Sequence, residues 1–196
     1  MKLRTVLLSG ALAAGASTLA FGIMPSKSRL ILTSTGVHFP TVSGFNLDRQ
    51  ELEFPRDFAG DLNVLFVPFL RRQQEDVDSW VPFVSGLEAD TPGLAYYELP
   101  TIYEMSSLSR MFLNEGMRAG IPNRKSRQRT ITLYLDRAKF MRATGIPDER
   151  QVHILLVDRD GQILWREAGR FDDDKGRALV AAVAQHRPAP PETTPM

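Results

Sequence analysis

The candidate catalytic side chains of this chain are carboxylates and histidines. None of the 196 residues is a cysteine. That absence excludes disulfides, thiolate catalysis and cysteine-ligated metal sites. Glu75, Asp76 and Asp78 stand close together, and His153 begins an apolar run. A carboxylate or an imidazole held beside a substrate acts as a general acid or base. The alternative is structural. Acidic side chains stabilise the N-terminus of a helix through its dipole, and a lone histidine in a strand has its hydrogen bonds satisfied within the fold.

Motifs for other kinds of catalysis are missing from the sequence. There is no G-x-S-x-G, no H-E-x-x-H and no Gly-rich phosphate loop, so hydrolase, zincin and nucleotide-binding functions have no motif behind them. The three histidines are too scattered for a histidine metal site. We therefore expect no metal and no cofactor. Glu98 and Glu104 flank Pro100 at the end of a predicted strand, a place where open sheets bind ligands.

A second concentration of charge is basic. The stretch from residue 118 to residue 129 contains five basic residues and no acid: Arg118, Arg124, Lys125, Arg127 and Arg129. One interpretation is a loop that contacts anionic lipid headgroups or an acidic partner, at ~1 kcal/mol per basic residue near a charged membrane. The other is a solvated loop between a helix and a strand. The formal net charge of the whole chain is only +1, which argues against a nucleic-acid partner.

Both ends of the chain differ from its body. Lys2 and Arg4 precede an uncharged segment over residues 5–24, which is typical of a secretory signal peptide or, if it is not cleaved, of a membrane anchor. We expect an exported protein, periplasmic or anchored to the inner membrane and facing the periplasm. Residues 25–44 predict an extended lead-in, and the proline-rich residues 187–196 predict a disordered tail.

The elements that must position the charged groups alternate between strands and helices. Apolar periods of two and of three to four residues predict the order β, β-α-β, α, β, α, β-hairpin, α. The predicted ranges are strands at 52–54, 63–69, 94–99 and 130–136, helices at 73–90, 106–120, 137–144 and 175–185, and a hairpin at 152–167. This order predicts an α/β fold with a mixed sheet and helices on both faces.

Three features together resemble the thioredoxin-like superfamily. The run NVLFVPF leads into a helix that contains Pro82, the hairpin ILLVDRDGQILWREAGRF occupies 154–171, and a final helix follows. The resemblance covers about residues 45–186 and implies a thioredoxin-like three-layer sandwich.

The resemblance also shows where this chain departs from the superfamily. In redox members the first cysteine lies eight residues before the helix proline, which here is Gln74. The motif positions are therefore Gln74, Glu75, Asp76 and Val77, and none carries a thiol. The usual cis-proline is also absent, because the chain has Val152 at that approach. Thiol-disulfide and peroxidase activities are excluded, and we interpret these four positions, the former redox corner, as a binding surface.

The sequence is also similar to the assembly-factor family for the membrane sector of mitochondrial ATP synthase and its bacterial relatives. The shared features are LVDRDGQILW, which ends at Trp165, the following Gly169, and a long helical insertion over 101–120. This resemblance implies a chaperone-like role with a protein partner rather than catalysis.

Two classes of function remain from the sequence. The first is a non-redox protein of the bacterial envelope that binds or chaperones a protein partner, including a membrane protein. Its candidate apolar contacts are Phe69, Trp80 and Trp165, although tryptophans are also typical core residues. The second is a thioredoxin-fold enzyme that uses Glu75, Asp76 or His153 as acid or base. A binding protein should expose an apolar patch near the helix start, and an enzyme should have a pocket with convergent polar groups.

Overall fold

A computed structural model describes residues 36–104 and 106–187 of the chain. The predicted signal or anchor, residues 25–35 and the tail from residue 188 lie outside the described residues. Within these ranges there are eight strands and five α-helices. They are β1 (Val42–Asn46), β2 (Glu51–Phe54), β3 (Leu62–Val67), α1 (Gln74–Asp90), β4 (Leu94–Glu98), β5 (Thr101–Ile102), α2 (Ser107–Gly120), α3 (Arg124–Arg129), β6 (Ile131–Tyr134), α4 (Arg137–Thr144), β7 (His153–Asp158), β8 (Ile163–Ala168) and α5 (Asp173–His186).

The strands form two four-stranded arrays that meet near the end of β4. One array has the order β4-β3-β7-β8, with β3 parallel to β4 and antiparallel to β7. The other has the order β2-β1-β6-β5, in which β5 and β6 are parallel. A parallel bridge between Glu98 and Thr130 joins the two arrays. All six residues of β3 are buried, as the continuous apolar run in the sequence predicts.

Helices cover both faces of the β3-containing array, which gives three layers. Successive β3 side chains point to opposite faces. On one face Phe66 packs in the core cluster that contains Trp80 of α1 and Leu179 of α5. On the other face Leu65 packs in the cluster that contains Phe140 of α4. The predicted mixed sheet with helices on both faces is therefore confirmed.

Three elements differ from the sequence prediction. Strand β1 begins at Val42, inside the range predicted as an extended lead-in, and Phe39 before it is 3% exposed in the core. The region after β4 contains the two-residue strand β5 before its helix begins. The predicted basic loop contains the helix α3, which begins where the Asn123 side chain accepts a hydrogen bond from the backbone N–H of Ser126.

Candidate functional site

The former redox corner lies where β3 ends and α1 begins, and a buried carboxamide closes it. Gln73 is 2% exposed. Its Oε1 accepts from the backbone N–H groups of Phe69 at 2.7 Å and Leu70 at 3.2 Å, and its Nε2 donates to the carbonyl oxygen of Glu149 at 2.8 Å. This side chain therefore ties the end of β3 to the loop that precedes β7.

A buried arginine completes the closure beside Gln73. Arg137 Nε donates to the carbonyl oxygen of Thr101 at 2.9 Å, and Nη1 donates to Glu149 Oε2 at 2.8 Å. Its Nη2 donates to the carbonyl oxygen of Phe69. The guanidinium carbon lies 4.1 Å from the ring centroid of Tyr103, whose hydroxyl donates to Glu149 Oε1 at 3.3 Å. We call this set the Arg137 network: Phe69, Gln73, Thr101, Tyr103, Arg137 and Glu149.

The polar groups of the Arg137 network form hydrogen bonds to one another. Each of the three guanidinium nitrogens donates to a protein oxygen, and the carboxylate of Glu149 receives both an arginine and a tyrosine. A buried charge is tolerated when it is paired and hydrogen-bonded in this way. The polar side chains of the Arg137 network are therefore satisfied within the protein, next in the chain to the exposed Gln74 and Glu75.

The four residues of the former redox corner do not share one environment. Gln74 and Glu75 are exposed on the first turn of α1. Asp76 is half-buried, with Oδ1 at 3.9 Å from Arg170 Nη1. Val77 has no exposed surface and packs in the core with Trp80. Its inclusion in the predicted binding surface is corrected here, because it lies on the apolar face of the helix.

A buried carboxyl lies beneath the exposed first turn. Glu98 is 9% exposed at the end of β4, and Gln74 Nε2 lies 3.4 Å from its Oε2. Burial raises the pKa of the Glu98 carboxyl; the Gln74 hydrogen bond opposes that rise, and the nearby Asp78 adds to it. Glu104, the other carboxylate that flanks Pro100, is exposed. No hydrogen bond joins the two carboxyls in the described part of the chain.

His153, the other candidate acid or base, is hydrogen-bonded to a backbone carbonyl rather than to a candidate carboxylate. His153 is 6% exposed, and its Nε2 lies 2.8 Å from the carbonyl oxygen of Asp148. Burial lowers the pKa of this imidazole, while the bond to Asp148 opposes that shift. Among the described residues no hydrogen bond or ion pair links His153 to Glu75 or Asp76. The structural interpretation of this histidine therefore fits its surroundings.

The three predicted apolar contacts are core residues. Phe69 is 4%, Trp80 0% and Trp165 8% exposed. The Trp80 indole N–H donates to the carbonyl oxygen of Gly169 at 2.9 Å, so even its polar group is satisfied internally. The prediction that these side chains contact a partner is therefore wrong, and the core alternative is correct.

The basic segment is largely held by two carboxylates that are distant in sequence. Asp48 lies 2.8 Å from Arg127 Nε and 3.8 Å from Arg124 Nε, and the Arg127 hydrogen bond lowers the pKa of this carboxyl. Glu88 accepts two bonds from Arg129, at 2.6 and 2.9 Å, and lies 3.4 Å from Lys125 Nζ.

The basic residues are unequally exposed as a result. The side chains of Arg127 and Arg129 are 20% and 19% exposed, whereas those of Arg124 and Lys125 are 79% and 66% exposed. Arg118 is half-buried at the end of α2. The solvated-loop interpretation does not describe Arg127 and Arg129, which are ion-paired to Asp48 and Glu88 and largely buried, whereas Arg124 and Lys125 remain exposed.

Among the described residues, large exposed apolar side chains are grouped on α2 rather than on the first turn of α1. Leu108 is 68%, Met111 53% and Phe112 73% exposed. Between α2 and β1 lies a groove of about 910 Å³, lined in part by Met111, Phe112 and Phe45, the last 48% exposed. The apolar period at 108, 111 and 112 was visible in the sequence, but its exposure was not.

Comparisons with known proteins bear on the fold. No protein-family model and no curated protein sequence match the chain. Solved structures do. A thiol:disulfide interchange protein from Bacteroides sp. matches with a TM-score of 0.50 at 17% identity, over 76% of this chain and 89% of that one. BsSco, described as a member of the Sco family of cytochrome c oxidase assembly proteins, matches with a TM-score of 0.50 at 13% identity, over 79% and 96% of the two chains.

A third match is Arabidopsis thaliana ScoI with copper bound, with a TM-score of 0.51 at 8% identity, over 76% of this chain and 99% of that one. This chain has a thioredoxin-like fold. At these identities the matches establish the fold and nothing about activity. Within the described ranges, no group of three or more His, Cys, Asp or Glu side chains is placed to hold a metal ion. No helix in the same ranges is long and apolar enough to cross a membrane.

Proposed function

We propose that this chain is an exported, non-redox thioredoxin-like protein of the bacterial envelope that binds a protein partner at the former redox corner. One observation carries the proposal: the Arg137 network fixes the exposed Tyr103 beside the end of β3, next to the start of α1, where Gln74 and Glu75 are also exposed and no thiol is present. The work of such a protein is to hold or chaperone its partner.

Tyr103 gives this surface an anchor for a partner. Tyr103 is 58% exposed, yet the Arg137 guanidinium lies over its ring and its hydroxyl donates to Glu149. An exposed aromatic residue whose orientation is already fixed loses little conformational entropy on binding, and tyrosine is enriched among residues that dominate interface energies. Gln74 and Glu75 of the corner are exposed, and so are Arg71 and Arg72 directly before them, so the partner should present hydrogen-bonding groups together with charges of both signs.

An assembly role is the most specific form of the proposal. It rests on the resemblance of LVDRDGQILW to the assembly factors for the membrane sector of ATP synthase, and one structural match is described as a member of a family of oxidase assembly proteins. Copper handling is not part of the proposal. Copper(I) is selected by soft sulfur ligands, and this chain has no thiol.

Export is supported by the uncharged segment over residues 5–24 behind two basic residues. Fractionation of cells tests this part alone. We expect the full chain in the periplasmic or inner-membrane fraction, and recovery with the cytoplasmic fraction would contradict it.

Photo-crosslinking in cells of the source organism tests partner binding. Tyr103 is replaced by a benzophenone-bearing phenylalanine in the full chain, which keeps an aromatic ring at the corner. We expect a discrete protein adduct that is lost when Glu75→Lys reverses a neighbouring charge. The matched control carries the crosslinker at exposed Gln185, near the end of α5.

Two outcomes would contradict the proposal. One is the absence of an adduct from position 103 when the variant is present at the level of the wild type. The other is an adduct formed equally from positions 103 and 185, which would report crowding rather than a docking surface.

A further inference from the structure

Helix α2 lies on the body of the protein with its polar side inward. Tyr134 of β6 donates to Asn114 Oδ1 at 2.7 Å, and the Arg110 guanidinium carbon lies 5.0 Å from the centroid of the same ring. Residues at spacings of three and four share a helix face, so Leu108, Met111 and Phe112 form a stripe, of which Met111 and Phe112 line the groove between α2 and β1. That stripe is exposed. An amphipathic helix in this orientation lacks the surface that its apolar side would cover.

Positive charge is concentrated in the stretch of sequence that contains this stripe. The segment 107–129 contains six basic residues and one acid, Glu115. Three residues from outside the segment are ion-paired to it, namely Arg49, Asp48 and Glu88. The segment and these three ion-pair partners contain seven basic residues and three carboxylates, a formal excess of four positive charges. The side chains of Arg124 and Lys125 remain 79% and 66% exposed even in their ion pairs.

Two carboxylates lie along the apolar stripe: Glu51, which lines the same groove as Met111 and Phe112, and Glu115, which is ion-paired. Its Oε1 lies 2.8 Å from Arg49 Nη2, and that hydrogen bond lowers the pKa of the Glu115 carboxyl. The pair lies one turn beyond Phe112, toward the end of α2. The first two turns of the helix, which hold Leu108, Met111 and Phe112, carry no carboxylate.

We propose that the α2–α3 segment docks on an anionic membrane surface. Leu108, Met111 and Phe112 enter the boundary between headgroups and acyl chains, and Arg124 and Lys125 contact lipid phosphates. Interfacial helices have this composition: an apolar side that is buried shallowly and basic residues that are attracted to anionic lipid. The charge excess favours this occupant over a second copy of the chain, because two such surfaces would repel one another.

The uncharged segment over residues 5–24, which predicts a signal peptide or a membrane anchor, precedes this surface in the sequence. A membrane anchor there would favour a bilayer as the occupant. The docking surface is separate from the former redox corner, so the inference does not depend on the proposed partner.

Fluorescence from a single introduced cysteine tests the inference, because the full chain has no other thiol. Phe112→Cys is labelled with an environment-sensitive nitrobenzoxadiazole probe, and Gln185→Cys with the same probe is the matched control. Each full-length protein is mixed with vesicles of phosphatidylglycerol and phosphatidylcholine, or of phosphatidylcholine alone. We expect a blue shift and quenching by lipid-borne quenchers at position 112 with the anionic vesicles only, and neither at position 185.

The charge contribution is measured with Arg124→Gln combined with Lys125→Gln in the labelled Phe112→Cys protein. Two fewer basic residues should weaken partitioning onto anionic vesicles by roughly five- to twenty-five-fold. An unchanged probe at position 112 with anionic vesicles would overturn the proposal. So would an equal response to neutral vesicles, or a lipid-free response that grows with protein concentration, which would identify a second copy as the occupant.

Discussion

Arg137 is the residue on which the former redox corner depends. Its guanidinium bonds to backbone oxygens after β3 and in β5, and to the Glu149 carboxylate in the loop before β7. The side chain is 7% exposed. Removal of it would leave two buried carbonyl groups without their donor and the Glu149 carboxylate without its cationic partner.

We therefore predict that Arg137→Ala lowers the free energy of unfolding by about 3 kcal/mol, the size expected when one member of a buried pair is removed. Chemical denaturation of the full chain measures it. Arg142→Ala on the same helix is the control, because Arg142 is exposed. It should change stability by less than about 0.5 kcal/mol. Similar losses in both variants would show that the network contributes no special stability.

Glu98 is the residue whose protonation should couple to stability. Because its pKa is raised above the ordinary value of 4.5, its contribution is complete below that pH and is lost as the pH rises through the raised value. Glu98→Gln stays neutral throughout. We predict that the variant is more stable than the wild type at pH 7 and that their melting temperatures converge toward pH 4.

Thermal melts across this pH range measure the Glu98 effect, with exposed Glu104→Gln as the control. A difference between Glu98→Gln and the wild type that does not vary with pH would show that packing, and not protonation, separates them. An identical profile for Glu104→Gln would assign the effect elsewhere.

At the scale of elements, β1 and β6 are packed so closely that only glycine fits between them. A Cβ atom on Gly44 would lie 2.6 Å from the carbonyl oxygen of Thr132 and 2.8 Å from Ile131 Cγ2. We predict that Gly44→Ala destabilises the fold by about 1–3 kcal/mol, as overpacking does. Denaturant midpoints measure the change.

Gly86→Ala in α1 is the matched glycine control. A Cβ atom there would have nothing within 4 Å, so alanine should stabilise the helix by about 0.5–1 kcal/mol through its lower chain entropy. Changes of the same sign in both variants would contradict the packing argument.

The elements also show how far sequence reasoning reaches. The strands and helices with an apolar period were predicted within a few residues, because that period reports which side is buried. Helix α3 was missed because Arg124–Arg129 has no apolar residue; its support is the Asn123 cap and the ion pairs to Asp48 and Glu88, which lie far away in sequence. The Arg137 network was missed because its residues are far apart in the sequence.

The resemblance located four positions at the start of α1 but did not show which of them are exposed. Gln74 and Glu75 were predicted at the surface of the former redox corner and lie there, whereas Val77 was included only by its place in a motif. The burial of Glu98 and Trp165 depends on how β4 and β8 pack in the sheet, which no local pattern encodes. The exposed side of α2 reverses the usual rule that an apolar period faces the core.

At the scale of the whole molecule, apolar side chains are divided between a core that holds the fold and a stripe that does not. Leu108 and Phe112 are 68% and 73% exposed, and Trp80 is fully buried. We predict that Leu108→Ser and Phe112→Ser, each made singly, change the free energy of unfolding by less than about 0.5 kcal/mol. Trp80→Ala should cost about 3–5 kcal/mol.

The same α2 variants should bind less of a hydrophobic dye in the native state, because they remove exposed apolar surface. Dye fluorescence and denaturation of the full chain measure both effects. A large loss of stability from Leu108→Ser or Phe112→Ser would mean that this side of α2 is covered within the molecule.

The Arg137 network joins parts of the chain that are remote in sequence. Thr101 and Phe69 precede Arg137 by 36 and 68 residues, and no local segment can bring them together. The corner is therefore completed only after β3, β5 and α4 have reached their places, since distant contacts wait for loops to close. A partner that docks on Tyr103 would then distinguish finished molecules from unfinished ones, and its binding would act as a checkpoint on folding.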